Sequence, residues 1–382
     1  MKKTVRILIS LVLVASMLTV PAFADAWRAG KSGLRYVSLG DSIAGGIGLP
    51  DSPLRGPDQP DKTKVYCHKT VGAYPALVAA ALGVADADFA QLACAGMRTV
   101  ELRSCLDPSY IAPDKYANNF GGNELEEWVK SRYDYREYVK NADVITLNMC
   151  GNDIASYALF RLREALQAEG ISEAAMNAVT GQLKNGGDYT TALVKLLAFA
   201  EKLESYSVVA AAAVKGLYEG YNRWIENWDA IIGIIYRLNP DVTLVCVGVY
   251  NPFNHLKLTK RSLVEIGNAL DGIVASINYW SAVGSRYSGR YLYVDIMGIS
   301  LISEERGNTL SDADFLDNFE LNVHPSERGQ QQIADRVMRK LTNERSPLCA
   351  ITSAVAKKTT RTLVNTGGYG INVLIGKLLD LI

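Results

Sequence analysis

Five short apolar runs along the chain predict β-strands. They are rich in Val, Ile, Leu and Tyr without clear alternation with polar residues, which is typical of strands buried on both faces of a parallel sheet. Stretches with helical character lie between them, among them 74–82 and 263–280. Strands that alternate with helices predict a doubly wound, three-layer α/β/α sandwich. The five predicted strands are 36–39, 89–93, 144–147, 242–249 and 291–296.

The segment from about 154 to 238 separates the third and fourth predicted strands and is too long for one crossover helix. Ala-rich helical patterns fill it, with a break at Gly170, so we predict a helical insertion. Tyr221, Trp224 and Trp228 are spaced i, i+3, i+7, which places three aromatic rings on one helix face. That face either docks on the sandwich or lines a groove for an acyl chain or another ligand.

Both ends of the chain have segments that we separate from the predicted domain, 25–345. Residues 1–24 combine a positively charged start, an apolar stretch over 7–20 and a small-residue cleavage site ending at Ala24. This pattern is typical of a secretory signal peptide, and the apolar stretch is too short to span a membrane. The tail, 346–382, ends in a strongly apolar stretch. We expect the tail to pack back on the protein, with an interfacial membrane contact as the less favoured alternative.

The charges of the chain are nearly balanced. The 382 residues contain 40 Lys and Arg against 40 Asp and Glu, and loss of the signal peptide would leave a formal charge of −3. Nothing in this near-neutral balance calls for a nucleic acid or an anionic bilayer. A hydrophobic content of 48% is ordinary for a globular protein with a sizeable core.

The first predicted strand runs directly into a turn that contains Ser42, followed by glycines up to Gly48. Ligands of open α/β sheets bind at the carboxyl ends of the strands, so Ser42 can be a nucleophile if a base reaches it. An ordinary turn with a capping side chain is the alternative. A phosphate loop is excluded because no Lys-Ser/Thr follows the glycines. The chain has three histidines that could supply a base: His68, His255 and His324.

Four short motifs follow one another in a fixed order, each beside a predicted strand end or helix start. They are Gly40-Asp41-Ser42, Gly96, Gly151-Asn152-Asp153 and His324-Pro325. Together they resemble the SGNH/GDSL family of serine esterases and lipases over about residues 35–340. The resemblance implies a five-stranded parallel, flavodoxin-like sheet and a hydrolase that needs neither a metal nor an organic cofactor.

The resemblance also implies a role for individual residues. Ser42 would be the nucleophile and His324 the general base that takes its proton. The oxyanion hole would consist of the Ser42 N–H, the Gly96 N–H and the Asn152 side chain. A plain turn glycine at Gly96 and a helix N-cap at Asn152 are the structural alternatives.

The sequence departs from the family pattern three residues before His324, where members usually carry an aspartate that orients the imidazole. Leu321 occupies that position here. Three interpretations stay open: Glu320 turns inward, Asp317 reaches round, or a backbone carbonyl near Leu321 accepts from the imidazole. The open question concerns this third partner and leaves the pair Ser42 and His324 unchanged.

Six cysteines in an exported chain suggest disulfides. The resemblance implies a bridge between Cys67 and Cys94, because several secreted members of the family link cysteines at matching positions. Cys150 and Cys246 are expected to be small buried thiols. The sequence does not decide whether the remaining two meet: Cys105 and Cys349.

The resulting hypothesis is a secreted hydrolase that cleaves lipid or simple acyl esters through an acyl-enzyme on Ser42. Two rival hypotheses remain. One is a carbohydrate O-deacetylase that uses the same site. The other is a binding protein on a hydrolase scaffold, with the helical insertion as its binding surface.

Overall fold

A five-stranded, fully parallel sheet forms the centre of the protein, with the strand order β2-β1-β3-β4-β5. The computed structural model describes residues 33–52, 67–112, 122–180, 189–254, 261–302 and 323–343. Every residue of β1 and β3 is buried, so both faces of the sheet are covered. This confirms the predicted three-layer α/β/α fold with a flavodoxin-like sheet. The strands are β1 Tyr36–Gly40, β2 Phe89–Gln91, β3 Val144–Asn148, β4 Thr243–Val247 and β5 Leu292–Val294.

Ten helices surround the sheet in the part of the chain that the structure describes. The helix predicted over 74–82 has those bounds, and the one predicted over 263–280 begins two residues earlier and ends one residue earlier. The helices are α1 Tyr74–Leu82, α2 Thr99–Leu106, α3 Gly122–Lys130, α4 Tyr135–Asn141, α5 Gly151–Ala168, α6 Glu173–Thr180, α7 Tyr189–Ala200, α8 Tyr206–Leu238, α9 Arg261–Tyr279 and α10 Glu327–Asn343.

The strand order fixes where a ligand can approach the sheet. From β1 the chain passes to β2 on one side and then returns to β3 on the other side of β1. The crevice between β1 and β3 is therefore the switch point of the sheet, where open α/β proteins bind ligands. Gly40 and Asn148 are paired at the carboxyl ends of these two strands. Ser42 follows the first of them, and Asn152 lies just beyond the second.

Helices α5, α6, α7 and α8 lie between β3 and β4, and the first two are separated around Gly170 as predicted. The rings of Trp224 and Trp228 on α8 stack with their centroids 4.9 Å apart, and each residue is only 1% exposed. These two rings therefore dock on the body of the protein, whereas Tyr221 is only partly buried. The side of α8 that carries Trp224 and Trp228 packs against the rest of the protein, so these two rings do not line a groove.

The two terminal segments of the sequence analysis, 1–24 and 346–382, lie outside the described residues. Residues 33–338 form one compact unit. Within the described part of the chain, none of the helices is both long and apolar enough to cross a membrane.

Candidate active site

Ser42 and His324 meet at the carboxyl edge of the sheet, although 282 residues separate them along the chain. The Ser42 Oγ lies 2.9 Å from the His324 Nε2. With the imidazole proton on Nδ1, the Ser42 hydroxyl donates this hydrogen bond to Nε2. Both residues are partly exposed, so a substrate can reach the pair. The structure thus brings together the two residues that the sequence analysis assigned to nucleophile and base.

The turn that carries Ser42 is fixed by its own backbone and by β3. The N–H of Asp41 donates to the carbonyl of Asn148 over 3.2 Å, and the N–H of Ile47 donates to the carbonyl of Ser42 over 3.0 Å. A Cβ on Gly40 would lie 2.7 Å from the Cβ of Ala44 and 2.8 Å from the Asn148 carbonyl oxygen. Any larger residue at this position would push the turn off the end of β1.

The buried carboxyl group of Asp41 connects the nucleophile turn with the loop after β3. Its Oδ1 accepts the backbone N–H of Ile43 over 2.9 Å. Burial raises the pKa of Asp41 to about 7, while hydrogen bonds from the backbone N–H groups of Ile43 and Cys150 act in the opposite direction. Because Cys150 directly precedes α5, this carboxyl group ties Ser42 to the segment that leads to Asn152.

The backbone around His324 is held by two other segments. The hydroxyl of Tyr250, just after β4, donates to the carbonyl of Val323 over 2.6 Å. The N–H of Ile302 donates to the carbonyl of His324 over 3.0 Å, and the N–H of Ser326 donates to the carbonyl of Ser300 over 3.1 Å. These contacts fix the imidazole from the backbone side. The three candidates for its orienting partner, Asp317, Glu320 and the carbonyl near Leu321, lie outside the described residues.

Gly96 and Asn152, the other two predicted oxyanion donors, are joined through Met97. The Asn152 Nδ2 donates to the Met97 carbonyl over 3.1 Å. An amide nitrogen carries two hydrogens, so this bond orients the Asn152 amide and uses only one of them. Gly96 has a φ of +80°, and a Cβ there would meet no atom of the described residues within 4 Å. Glycine is therefore required by the backbone conformation, and space remains beside it for a substrate.

A buried polar network that the sequence analysis did not find extends from these loops. The Asp153 carboxylate accepts the N–H of Thr99 over 3.0 Å and its hydroxyl over 2.5 Å. The side-chain amide of Asn227 on α8 donates to the same Thr99 oxygen over 3.2 Å. Burial raises the pKa of Asp153 to about 7, and the Thr99 hydrogen bonds oppose this shift. Through Asn227, the insertion is thus hydrogen-bonded to the segment that follows Gly96.

A second part of this network is an ion pair at the start of α2. The Arg98 guanidinium binds the Glu101 carboxylate at 2.5 Å, and both side chains are 1% exposed. The carboxylate also accepts the N–H of Arg98 over 2.8 Å, which closes the first turn of the helix. The spacing i, i+3 was visible in the sequence, but the burial that makes this pair structural was not.

Cys67 and Cys94 are neighbours in space, yet no bond joins them in this structure. Their sulfur atoms lie 3.4 Å apart, and both residues are thiols. A disulfide requires about 2.05 Å, so the bridge implied by the family resemblance stays a prediction. Three further cysteines are buried thiols whose pKa values are raised by burial, and Cys349 lies outside the described residues. The three are Cys105, Cys150 and Cys246.

The other two histidines are not brought to Ser42 by anything the structure describes. The His68 Nε2 lies 3.7 Å from a carboxylate oxygen of Asp51, and His255 lies outside the described residues. Among the described residues, no group of three or more His, Cys, Asp or Glu side chains is placed to hold a metal ion.

No family model and no curated protein matches the sequence. Several solved structures resemble it. An extracellular lipase from Streptomyces rimosus and phospholipase A1 from Streptomyces albidoflavus are each 18% identical over 81% of this chain and 100% of theirs, with TM-scores of 0.40. A GDSL-like lipase from Parabacteroides merdae is 11% identical over 81% of this chain and 96% of its own, with a TM-score of 0.33. All three are described as lipases or a phospholipase.

Proposed function

We propose that this protein is a serine hydrolase of carboxylic esters that works through an acyl-enzyme. The observation that carries the proposal is the 2.9 Å contact between the Ser42 Oγ and the His324 Nε2 at the switch point of a parallel sheet. A serine hydroxyl is a weak nucleophile unless a base takes its proton, and this contact supplies one. The motif resemblance to SGNH/GDSL esterases points to the same chemistry.

In the first half of the reaction, the Ser42 Oγ attacks the ester carbonyl carbon while its proton passes to the His324 Nε2. The tetrahedral intermediate places a negative charge on the former carbonyl oxygen. The N–H groups of Ser42 and Gly96 and the Asn152 amide would donate to this oxygen. When the intermediate collapses, the bond to the alcohol oxygen breaks and His324 protonates the leaving alcohol.

In the second half, water replaces the alcohol. His324 takes a proton from the water while the water oxygen attacks the acyl carbon. The same donors stabilise the second oxyanion. Collapse then returns the proton to the Ser42 Oγ and releases the carboxylic acid. Each step uses groups of this chain and water.

We propose lipid or simple acyl esters as substrates. We also propose that the protein acts outside the cytoplasm after removal of a signal peptide near Ala24, as the pattern of residues 1–24 predicts. A carbohydrate O-deacetylase would use the same catalytic groups, and the two differ in the ester that they accept.

The experiment is a panel of p-nitrophenyl esters from acetate to palmitate, assayed beside acetylated xylan and followed by labelling with a phosphonate ester. We expect hydrolysis of at least one simple ester and covalent labelling of Ser42. Ser42→Ala should abolish both, and the control Ser131→Ala, at an exposed serine between α3 and α4, should change neither. Labelling of a different serine would contradict the assignment, and a protein that neither cleaves nor labels would favour the binding-protein hypothesis.

A further inference from the structure

Three successive backbone carbonyls just after Ser42 each accept a hydrogen bond from a buried side chain. The Gln330 Nε2 donates to the Ile43 carbonyl over 3.0 Å, and the Gln91 Nε2 donates to the next carbonyl, that of Ala44, over 2.8 Å. The Thr70 hydroxyl donates to the third, that of Gly45, over 2.7 Å. These donors come from separate parts of the fold, so the nucleophile turn is held from three directions.

The side-chain amide of Gln330 makes a second hydrogen bond, so both its nitrogen and its oxygen are paired. Its Oε1 accepts the backbone N–H of Tyr74, the first residue of α1, over 2.9 Å. The side chain is fully buried. A buried amide with both ends paired to backbone has one favoured orientation, because any rotation would leave a backbone group without its partner.

Gln330 differs from Gln91 in the part of the fold to which it belongs. Gln91 belongs to β2, which pairs directly with β1, the strand that carries Ser42. Gln330 instead lies on α10, six residues after His324. The first turn of α10 is anchored to the same segment as His324: the Ser326 hydroxyl accepts the N–H of Gly329 over 3.2 Å, and the Ser326 N–H bonds to Ser300. Gln330 therefore joins the structural unit of the base to the turn of the nucleophile.

We propose that Gln330 is a positioning residue that sets the approach of the Ser42 Oγ to the His324 Nε2. The inference rests on the proposed function, since only a reaction at Ser42 would depend on this distance. Proton transfer needs the two heavy atoms within hydrogen-bond reach, and a displacement of about 1 Å in an active site can lower the rate by about 100-fold. Substrate binding does not depend on that distance to the same extent, so Gln330 should affect kcat rather than KM.

The test compares neighbouring glutamines on α10. Gln330→Met keeps the length of the side chain and removes both hydrogen bonds. Gln330→Glu keeps an acceptor for the Tyr74 N–H. Because burial raises the pKa of a carboxyl group, this variant is assayed at alkaline pH, where the ionised carboxylate offers the Ile43 carbonyl no donor. The control is Gln331→Met, because Gln331 is exposed and, among the described residues, its side chain bonds along its own helix to Asp335. For each variant we would measure the folded fraction, kcat, KM and the rate of Ser42 labelling by a phosphonate ester.

We expect both Gln330 variants to lower kcat and the labelling rate by about 10- to 100-fold with KM within about threefold, while Gln331→Met stays at the wild-type values. If Gln330→Met does not fold, the Gln330→Glu variant, which keeps the Tyr74 bond, decides the question. Folded Gln330 variants with wild-type kcat would overturn the proposal, as would a loss of activity that only follows the folded fraction. A wild-type protein without esterase activity or labelling would instead overturn the proposed function itself.

Discussion

The indole Nε1 of Trp224 donates a hydrogen bond to the backbone carbonyl of Met149 over 2.8 Å. Trp224 lies in the middle of α8, and Met149 lies in the loop between β3 and α5, three residues before Asn152. A buried carbonyl without a hydrogen-bond donor would destabilise the folded protein. This bond therefore holds the loop in one position. Through it, a helix of the insertion contributes to the placement of the predicted oxyanion donor Asn152.

We therefore predict that Trp224→Phe lowers kcat by about tenfold while KM changes little, because the loop before Asn152 loses its anchor. Trp228→Phe is the matched control, since both rings are buried and stack on each other. It should lower stability through the space that the smaller ring leaves, on the order of 1 kcal/mol, and leave kcat within about twofold. Steady-state kinetics together with chemical denaturation separate the two effects. Equal losses of kcat in both variants would argue that α8 acts through packing alone.

The Asn152 amide should act mainly in the transition state. Its bond to the Met97 carbonyl leaves one N–H for a developing oxyanion. Asn152→Ala should lower kcat by about 100- to 1,000-fold with little change in KM, which is the usual effect of removing one oxyanion donor. Asn141→Ala, at an exposed asparagine of α4, is the control and should behave like the wild type. A change confined to KM would mean that Asn152 contacts the substrate in its ground state.

The parts of this site that sequence could predict are those fixed by strand ends. Parallel strands deliver their carboxyl ends to one edge, so the order of motifs along the chain is enough to place Ser42 after β1 near Asn152 after β3. Gln330 could not be placed in this way. Its partners, Ile43 and Tyr74, are 287 and 256 residues away, and nothing in the pattern of α10 distinguishes Gln330 from its exposed neighbour Gln331.

The same limit explains why Trp224 was assigned only to a helix face. The spacing of the aromatic residues of α8 predicts that their rings share one side, but it does not identify what that side contacts. The structure supplies the contact, a backbone carbonyl of the loop after β3. Thr99 and Asn227 were missed for a related reason, because their shared hydrogen bond joins residues 128 positions apart.

The pair Cys67 and Cys94 should form a disulfide when the chain folds in an oxidising medium. Their sulfur atoms are already 3.4 Å apart. Burial raises the pKa of the Cys94 thiol well above its usual value, which keeps it protonated in the folded protein. Since the thiolate is the reactive form, we expect the bond to form during folding and only slowly in protein that has folded reduced.

Peptide mapping without reduction measures this difference directly. Protein refolded with oxidised glutathione should yield a linked Cys67–Cys94 peptide and be more stable by about 3 kcal/mol, as expected for a loop of about 27 residues. Cys150 and Cys246, which are buried thiols, serve as internal controls and should remain unlinked. Two free thiols at Cys67 and Cys94 after oxidative refolding would rule out the bridge.

The buried carboxyl group of Asp153 anchors Thr99 and through it Asn227. Its pKa in the folded protein is about 7, whereas an aspartate in an unfolded chain titrates near about 4. Between these two values the folded state binds the proton more tightly than the unfolded state. The free energy of unfolding must therefore fall as the pH rises from about 4 to about 7, and it stays at the lower value above that range.

Asp153→Asn removes this titration and keeps a carbonyl oxygen that can accept from Thr99. Because the buried Asp41 is present in both proteins and titrates over the same range, its contribution cancels when the two are compared. Denaturation of both proteins at a series of pH values between about 4 and 8 should show the wild type losing stability relative to the variant as the pH rises. At acid pH, where the protonated Asp153 of the wild type is well accommodated, the variant should have the lower free energy of unfolding. This difference should shrink as the pH approaches neutrality. A difference that does not depend on pH would mean that Asp153 titrates alike in the folded and unfolded chain, so that the hydrogen bonds from Thr99 offset the effect of burial in full.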